Sequence, residues 1–125
     1  MTTEAPRILL VRPARLALLE TAFGRRGPIP TFQIAKSIPE AITILGKSVP
    51  NAVLHFGPAD LPCLTELVQA GADAIPRTPV FIIGDQSADE EDVLLDKGAA
   101  AVLPEDRIDR LPTLVRRELS FPRRS

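Results

Sequence analysis

The sequence predicts an α/β fold, a doubly wound five-stranded parallel sheet in a (βα)5 three-layer sandwich. Three observations predict it: apolar runs of strand length recur along the chain, each is followed by apolar residues at helical spacing, and no internal repeat, low-complexity tract or long linker interrupts the alternation. Strands joined through helices pair in parallel, because each helix carries the chain back to the end where the previous strand began.

Arg7-Ile8-Leu9-Leu10-Val11 is a continuous apolar run, as expected of a central strand covered on both faces, and Pro13 stops it. Leu16, Leu19 and Phe23 then mark one face of a helix, and Gly24-Arg25-Arg26-Gly27-Pro28 breaks it. Thr31-Phe32-Gln33-Ile34-Ala35 reads as the second strand. Its helix places Ile38, Ala41, Ile42 and Leu45 on one side, with Ser37 as the cap and Glu40 three residues on. Asn51-Ala52-Val53-Leu54-His55-Phe56 is the third strand, and after Gly57 and Pro58 the helix is carried by Leu61, Leu64 and Val68. Thr78-Pro79-Val80-Phe81-Ile82-Ile83-Gly84 is the clearest strand. Ser87 caps the helix after it, which runs through Val93, Leu94 and Lys97 to Gly98. Residues 100–103 form the fifth strand, and Ile108, Leu111, Val115 and Leu119 mark the last helix, with Pro112 beginning it or kinking it near its start.

A chain of 125 residues has the size of one domain, with a core over residues 7–119 and a tail or the start of a linker at 120–125. Hydrophobic residues make up 45% and charged residues 25%; the 15 basic and 16 acidic side chains leave a formal net charge of -1. No overall field draws the chain to nucleic acid or anionic lipid, so partners are expected to recognise local patches. One cysteine, Cys63, excludes an internal disulfide and a cysteine-based zinc cluster, and one histidine, His55, removes most histidine-ligand schemes. No apolar run reaches the roughly 20 residues that span a bilayer, and Met1-Thr2-Thr3-Glu4 lacks a signal-peptide layout, so a cytoplasmic location is the expectation.

Parallel α/β sheets build their chemistry at the C-terminal ends of the strands. This chain offers Arg12-Pro13, Phe56-Gly57, Gly84 and Glu105 there. The first strand is followed by Arg12-Pro13-Ala14-Arg15 in place of a glycine-rich phosphate loop, so no nucleotide or flavin cofactor is expected, and no metal. His55 is expected to be a hydrogen-bonded histidine of a buried strand, and Cys63 a small packing residue. Asp85, Asp89, Glu90, Glu91 and Asp92 read as the complement of a helix dipole. Arg25-Arg26, Arg116-Arg117 and Arg123-Arg124 are short basic groups where helix ends normally carry them. Arg12 and Glu105 are expected at neighbouring strand ends, paired with each other or separately solvated.

The order and spacing of these segments resemble the receiver domains of two-component response regulators, a flavodoxin-like fold. The likeness spans residues 7–119 and is carried by Arg7-Ile8-Leu9-Leu10-Val11, by Pro50-Asn51-Ala52-Val53-Leu54 with Leu61-Pro62, and by Pro79-Val80-Phe81-Ile82-Ile83 with Gly98-Ala99. The resemblance implies that the family's acidic metal-binding pair falls on Arg12 and Pro13, its phosphoaccepting aspartate on Phe56, its switch hydroxyl on Gly84, and its lysine on Glu105. A cation cannot replace carboxylate ligands for Mg²⁺, and a phenyl ring forms no acyl phosphate.

The reading that follows is a pseudo-receiver, not an enzyme: a signalling domain that acts as a phosphorylation-independent module for protein partners, a second copy of itself included. By the same resemblance its interaction face joins the fourth helix, fifth strand and fifth helix through Val93, Lys97, Ala101, Leu103, Arg107 and Arg110. One alternative is phosphotransfer through a displaced acceptor, Asp60, or through Asp85. Another is a sensor of a nucleotide second messenger, with Arg12, Arg25 and Arg26 as its candidate residues.

Overall fold

The computed structural model describes residues 7–12, 16–25, 30–57, 59–75, 77–84 and 86–120, without the side chains of 119 and 120. Strands β1 (Arg7–Val11), β2 (Thr31–Ala35), β3 (Ala52–Phe56), β4 (Val80–Ile83) and β5 (Ala101–Leu103) alternate with helices α1 (Leu16–Gly24), α2 (Ile38–Lys47), α3 (Leu61–Asp73), α4 (Ala88–Lys97) and α5 (Leu111–Ser120). All pairings are parallel, in the order β2-β1-β3-β4-β5. The fold is the doubly wound flavodoxin-like sandwich that the alternation predicts.

Alternation along each strand divides the core in two, because successive side chains point to opposite faces of a sheet. Leu9, Val11, Val53, Val80 and Ile82 face a core shared with α2, α3 and α4; Ile8, Leu10, Leu54, Phe81 and Ile83 face one shared with α1 and α5. Central strands sandwiched in this way need apolar residues at every position, which is why β1, β3 and β4 read as unbroken apolar runs.

The helix starts are set by side chains. The Ser37 hydroxyl accepts the Glu40 N–H at 3.3 Å, and Ser87 and Glu90 form a reciprocal capping box at the start of α4. Gly98 then ends α4 at φ 114, a left-handed conformation that glycine adopts without steric cost. Helix α3 lies so close to the sheet that a Cβ on Gly71 would stand 2.6 Å from Val80 Cγ2 and 2.7 Å from the Thr78 carbonyl oxygen.

Two expectations are corrected here. Ile108 belongs to a separate 3-10 helix, Glu105–Arg110, and α5 starts only at Leu111. Pro112 has no N–H for the Ile108 carbonyl and its ring would crowd that oxygen, so a continuous α-helix fails; the Leu111 N–H bonds Ile108 by the tighter pattern instead. Cys63 is exposed, not packed, because the buried stripe of α3 runs through Leu64, Leu67, Val68 and Gly71 and leaves Cys63 on its flank.

Candidate functional site: the C-terminal strand ends

The ends of β1, β3 and β4 are each held by one further ladder bond. The Arg12 N–H donates to the Ala35 carbonyl at 3.0 Å, the Gly57 N–H to Ile83 at 3.1 Å, and the Gly84 N–H to Leu103 at 2.8 Å. Arg12 has a φ of 56, a left-handed backbone unusual for a residue with a side chain, and its side chain is exposed. Pro13, the other half of the sequence pair, lies outside the described residues.

Phe56 is 4% exposed and packs into the α1/α5 core beside Leu54 and Ile83. The ring is therefore part of the fold's interior. Gly57 turns the chain away from it at φ 86, a value that excludes most other residues. A Cβ on Gly84 would lie 3.2 Å from the Gly57 carbonyl oxygen and 3.6 Å from Gln86 Nε2, so the β3 and β4 ends approach more closely than ordinary side-chain packing allows. Gly57 is legible in the sequence as the glycine that ends an apolar run beside Phe56, whereas nothing in the sequence marks Gln86.

Glu105 is exposed at the start of the 3-10 helix. It does not neighbour Arg12: β3 and β4 lie between β1 and β5, and three spacings of about 4.8 Å separate those strands by about 14 Å. Strand order sets this separation, and the order of segments along the chain does not encode it. Asp60 is exposed at the N-cap of α3, with its carbonyl accepting the Leu64 N–H at 3.0 Å and no cap bond from its carboxylate. Asp85 lies outside the described residues. Among the described residues, no cluster of three or more His, Cys, Asp or Glu side chains is arranged to hold a metal ion.

His55 departs from expectation. It is fully buried on the face opposite Phe56, in register between Val11 and Ile82, yet among the described residues neither ring nitrogen has a hydrogen-bond partner. Its strand position fixes burial, and its register neighbours Val11 and Ile82 are aliphatic side chains that offer it no acceptor. Burial, with the Arg12 guanidinium second, lowers its pKa from 6.5 to about 4, so the ring is neutral at physiological pH.

The candidate interaction residues flank the β5 edge of the sheet. Val93 and Lys97, one helical turn apart, are exposed on α4; Ala101 and Leu103 are half-buried on β5. Arg107 and Arg110 are exposed but belong to the 3-10 helix, which packs on α1 and α5 and bends at Arg107. Of the candidate sensor arginines, Arg12 and Arg25 are exposed, at the end of β1 and just past α1, and Arg26 lies outside the described residues, as do Arg123 and Arg124. Arg116 is turned inward, its Nη2 donating to the Phe23 carbonyl at 2.8 Å and its guanidinium 5.8 Å from the Phe23 ring centre.

This sheet order and helix arrangement define a receiver-like domain. The chain is similar to the signal receiver domain of a Luxo repressor-type protein from Vibrio parahaemolyticus, with 27% identity, 93% of this chain and 91% of the other covered, and a TM-score of 0.69. The receiver domain of the response regulator NarL from Mycobacterium tuberculosis matches with 16% identity over 95% of this chain and 99% of the other, TM-score 0.72. An atypical orphan response regulator, described as having a phosphorylation-independent regulatory mechanism, matches with 17% identity over 92% and 96%, TM-score 0.72. No protein-family model and no curated protein matches the chain. Among the described residues, no helix is long and apolar enough to cross a membrane.

Proposed function

We propose that this chain, taken as one domain over residues 1–125, is a pseudo-receiver: a non-enzymatic, cytoplasmic signalling module that binds protein partners without being phosphorylated at the strand ends. The observation that carries this reading is Phe56, a phenyl ring packed in the core where the receiver resemblance puts the acceptor. Arg12 in place of an acid, the closely approached Gly84, and Glu105 in place of a lysine support it, since a phosphoryl site needs carboxylates, a metal and donors for the phosphoryl oxygens. The atypical orphan regulator among the similar structures offers a precedent for control that does not use phosphate.

The docking surface in this reading is the β5 edge with its flanks, through Val93, Lys97, Ala101, Leu103, Arg107 and Arg110. Incubation with Mg²⁺ and acetyl phosphate, followed by intact mass, is expected to give no phosphoryl mass gain. A stable gain that Asp60→Asn abolishes would replace the reading with phosphotransfer through Asp60. Charge reversal at Lys97 and Arg110 is expected to weaken capture of the chain's partners from the source cell, and unaltered capture would remove this face from the reading.

A further inference from the structure

The buried, unpartnered imidazole of His55 has no part in the docking reading, and it holds whether or not that reading survives. His55 is 0% exposed, and a buried polar ring with no partner among the described residues carries an uncompensated desolvation cost even when neutral. Adding a proton makes this much worse. Its register neighbours Val11 and Ile82 are apolar, and among the described residues the buried polar or charged side chains are His55 itself and Thr78, so no buried carboxylate is there to receive an imidazolium.

The charged groups at this end of the sheet make the balance one-sided. Arg12, which follows Val11 directly, disfavours a second positive charge. Lys36 and Glu40 at the start of α2, Asp60 at the start of α3, and the acids at the start of α4 are exposed or half-exposed, with Glu90 held in its capping box. His55 also stands one residue from the end of β3, the end of the sheet at which α2 and α3 start.

We propose that His55 is an acid-sensitive latch: proton uptake by this one ring loosens the packing of α2 and α3 over the ends of β1 and β3 and opens that rim of the domain, while the α1/α5 side stays closed. The step moves one proton from solvent to an imidazole nitrogen and breaks no covalent bond. Its driving force is hydration of the imidazolium.

His55 is the chain's only histidine, so its ring signals in an NMR titration need no assignment. The ring is expected to titrate well below the ordinary range, near 4. The unfolding constant in urea is expected to rise about 20-fold between pH 7 and pH 5 for the native chain and less than about 3-fold for His55→Leu. At pH 5, amide exchange corrected for its intrinsic rate is expected to rise in β1, β3, α2 and α3 more than in α1 and α5. If His55→Leu does not fold, His55→Gln serves as the non-titrating variant, and the native chain's titration stands alone as a test. Titration near 6.5, equal pH responses in native and variant chains, or a uniform rise in exchange would each overturn the latch.

Discussion

Gly84 lies so close to the Gly57 carbonyl oxygen that a Cβ on it would stand 3.2 Å from that oxygen. Two strand ends meet there through backbone alone. Gly84→Thr, which places a hydroxyl where the receiver resemblance implies one, therefore introduces a branched side chain where the Gly57 turn must yield. The substitution is expected to cost about 1–3 kcal/mol, after a small return from the lost glycine freedom. Urea denaturation reads the cost, and an unchanged midpoint would mean that the β3 turn yields freely.

Gly71 and Gly46 give opposite expectations on two helices of the same face. A Cβ on Gly71 meets the Thr78 carbonyl oxygen at 2.7 Å, and that backbone is held because the Thr78 N–H donates to Gly71 at 2.9 Å. Gly71→Ala is expected to destabilise by about 1–2 kcal/mol, the overpacking exceeding the gain in helix propensity. Gly46 has nothing within 4 Å of an added Cβ, so Gly46→Ala is expected to stabilise by about 0.5–1 kcal/mol. Thermal or urea unfolding of the two variants side by side checks the sign of each.

These contrasts show what the sequence can and cannot express. Apolar runs and helical spacing mark the five strands and the five α-helices, and Ser37 and Ser87 mark two starts, because period and capping are local properties. The boundary of α5 was less legible: the consequence of Pro112 falls on the carbonyl four residues earlier, so α5 starts only at Leu111 and residues 105–110 stand apart as a 3-10 helix. The distance between Arg12 and Glu105 and the isolation of His55 depend on strand order and on which faces the helices cover. Such relations are tertiary, and no spacing along the chain encodes them.

Arg116 ties α5 to the end of α1. Its Nη2 donates to the Phe23 carbonyl at 2.8 Å and its guanidinium stands over a ring that itself meets Phe32 edge-on at 5.7 Å. Arg116→Met keeps most of the apolar stem and removes the donor, leaving a carbonyl near the end of α1 without this bond. A loss of about 1–2 kcal/mol is expected. Arg116→Lys is expected to recover only part of it, since an ammonium lacks the planar face that lies over the ring. A double-mutant cycle with Phe23→Leu measures the ring's share; zero coupling would assign the whole effect to the carbonyl bond.

The influence of Arg12 on His55 can be separated from that of burial. A histidine whose folded pKa lies below its unfolded value binds its proton first in the unfolded chain, so stability is full above about 6.5 and declines as pH falls toward about 4. Over that whole window the loss amounts to about 3 kcal/mol. Arg12→Gln removes the second cause and leaves the first, so the pKa of the ring is expected to rise from about 4 yet stay below 6.5. The acid-induced loss then ends at a higher pH and is smaller in total. NMR titration of this one histidine in native and Arg12→Gln chains reads both effects directly. A pKa unchanged by Arg12→Gln would assign the whole depression to burial, and a return to 6.5 would show that charge, not desolvation, holds the ring neutral.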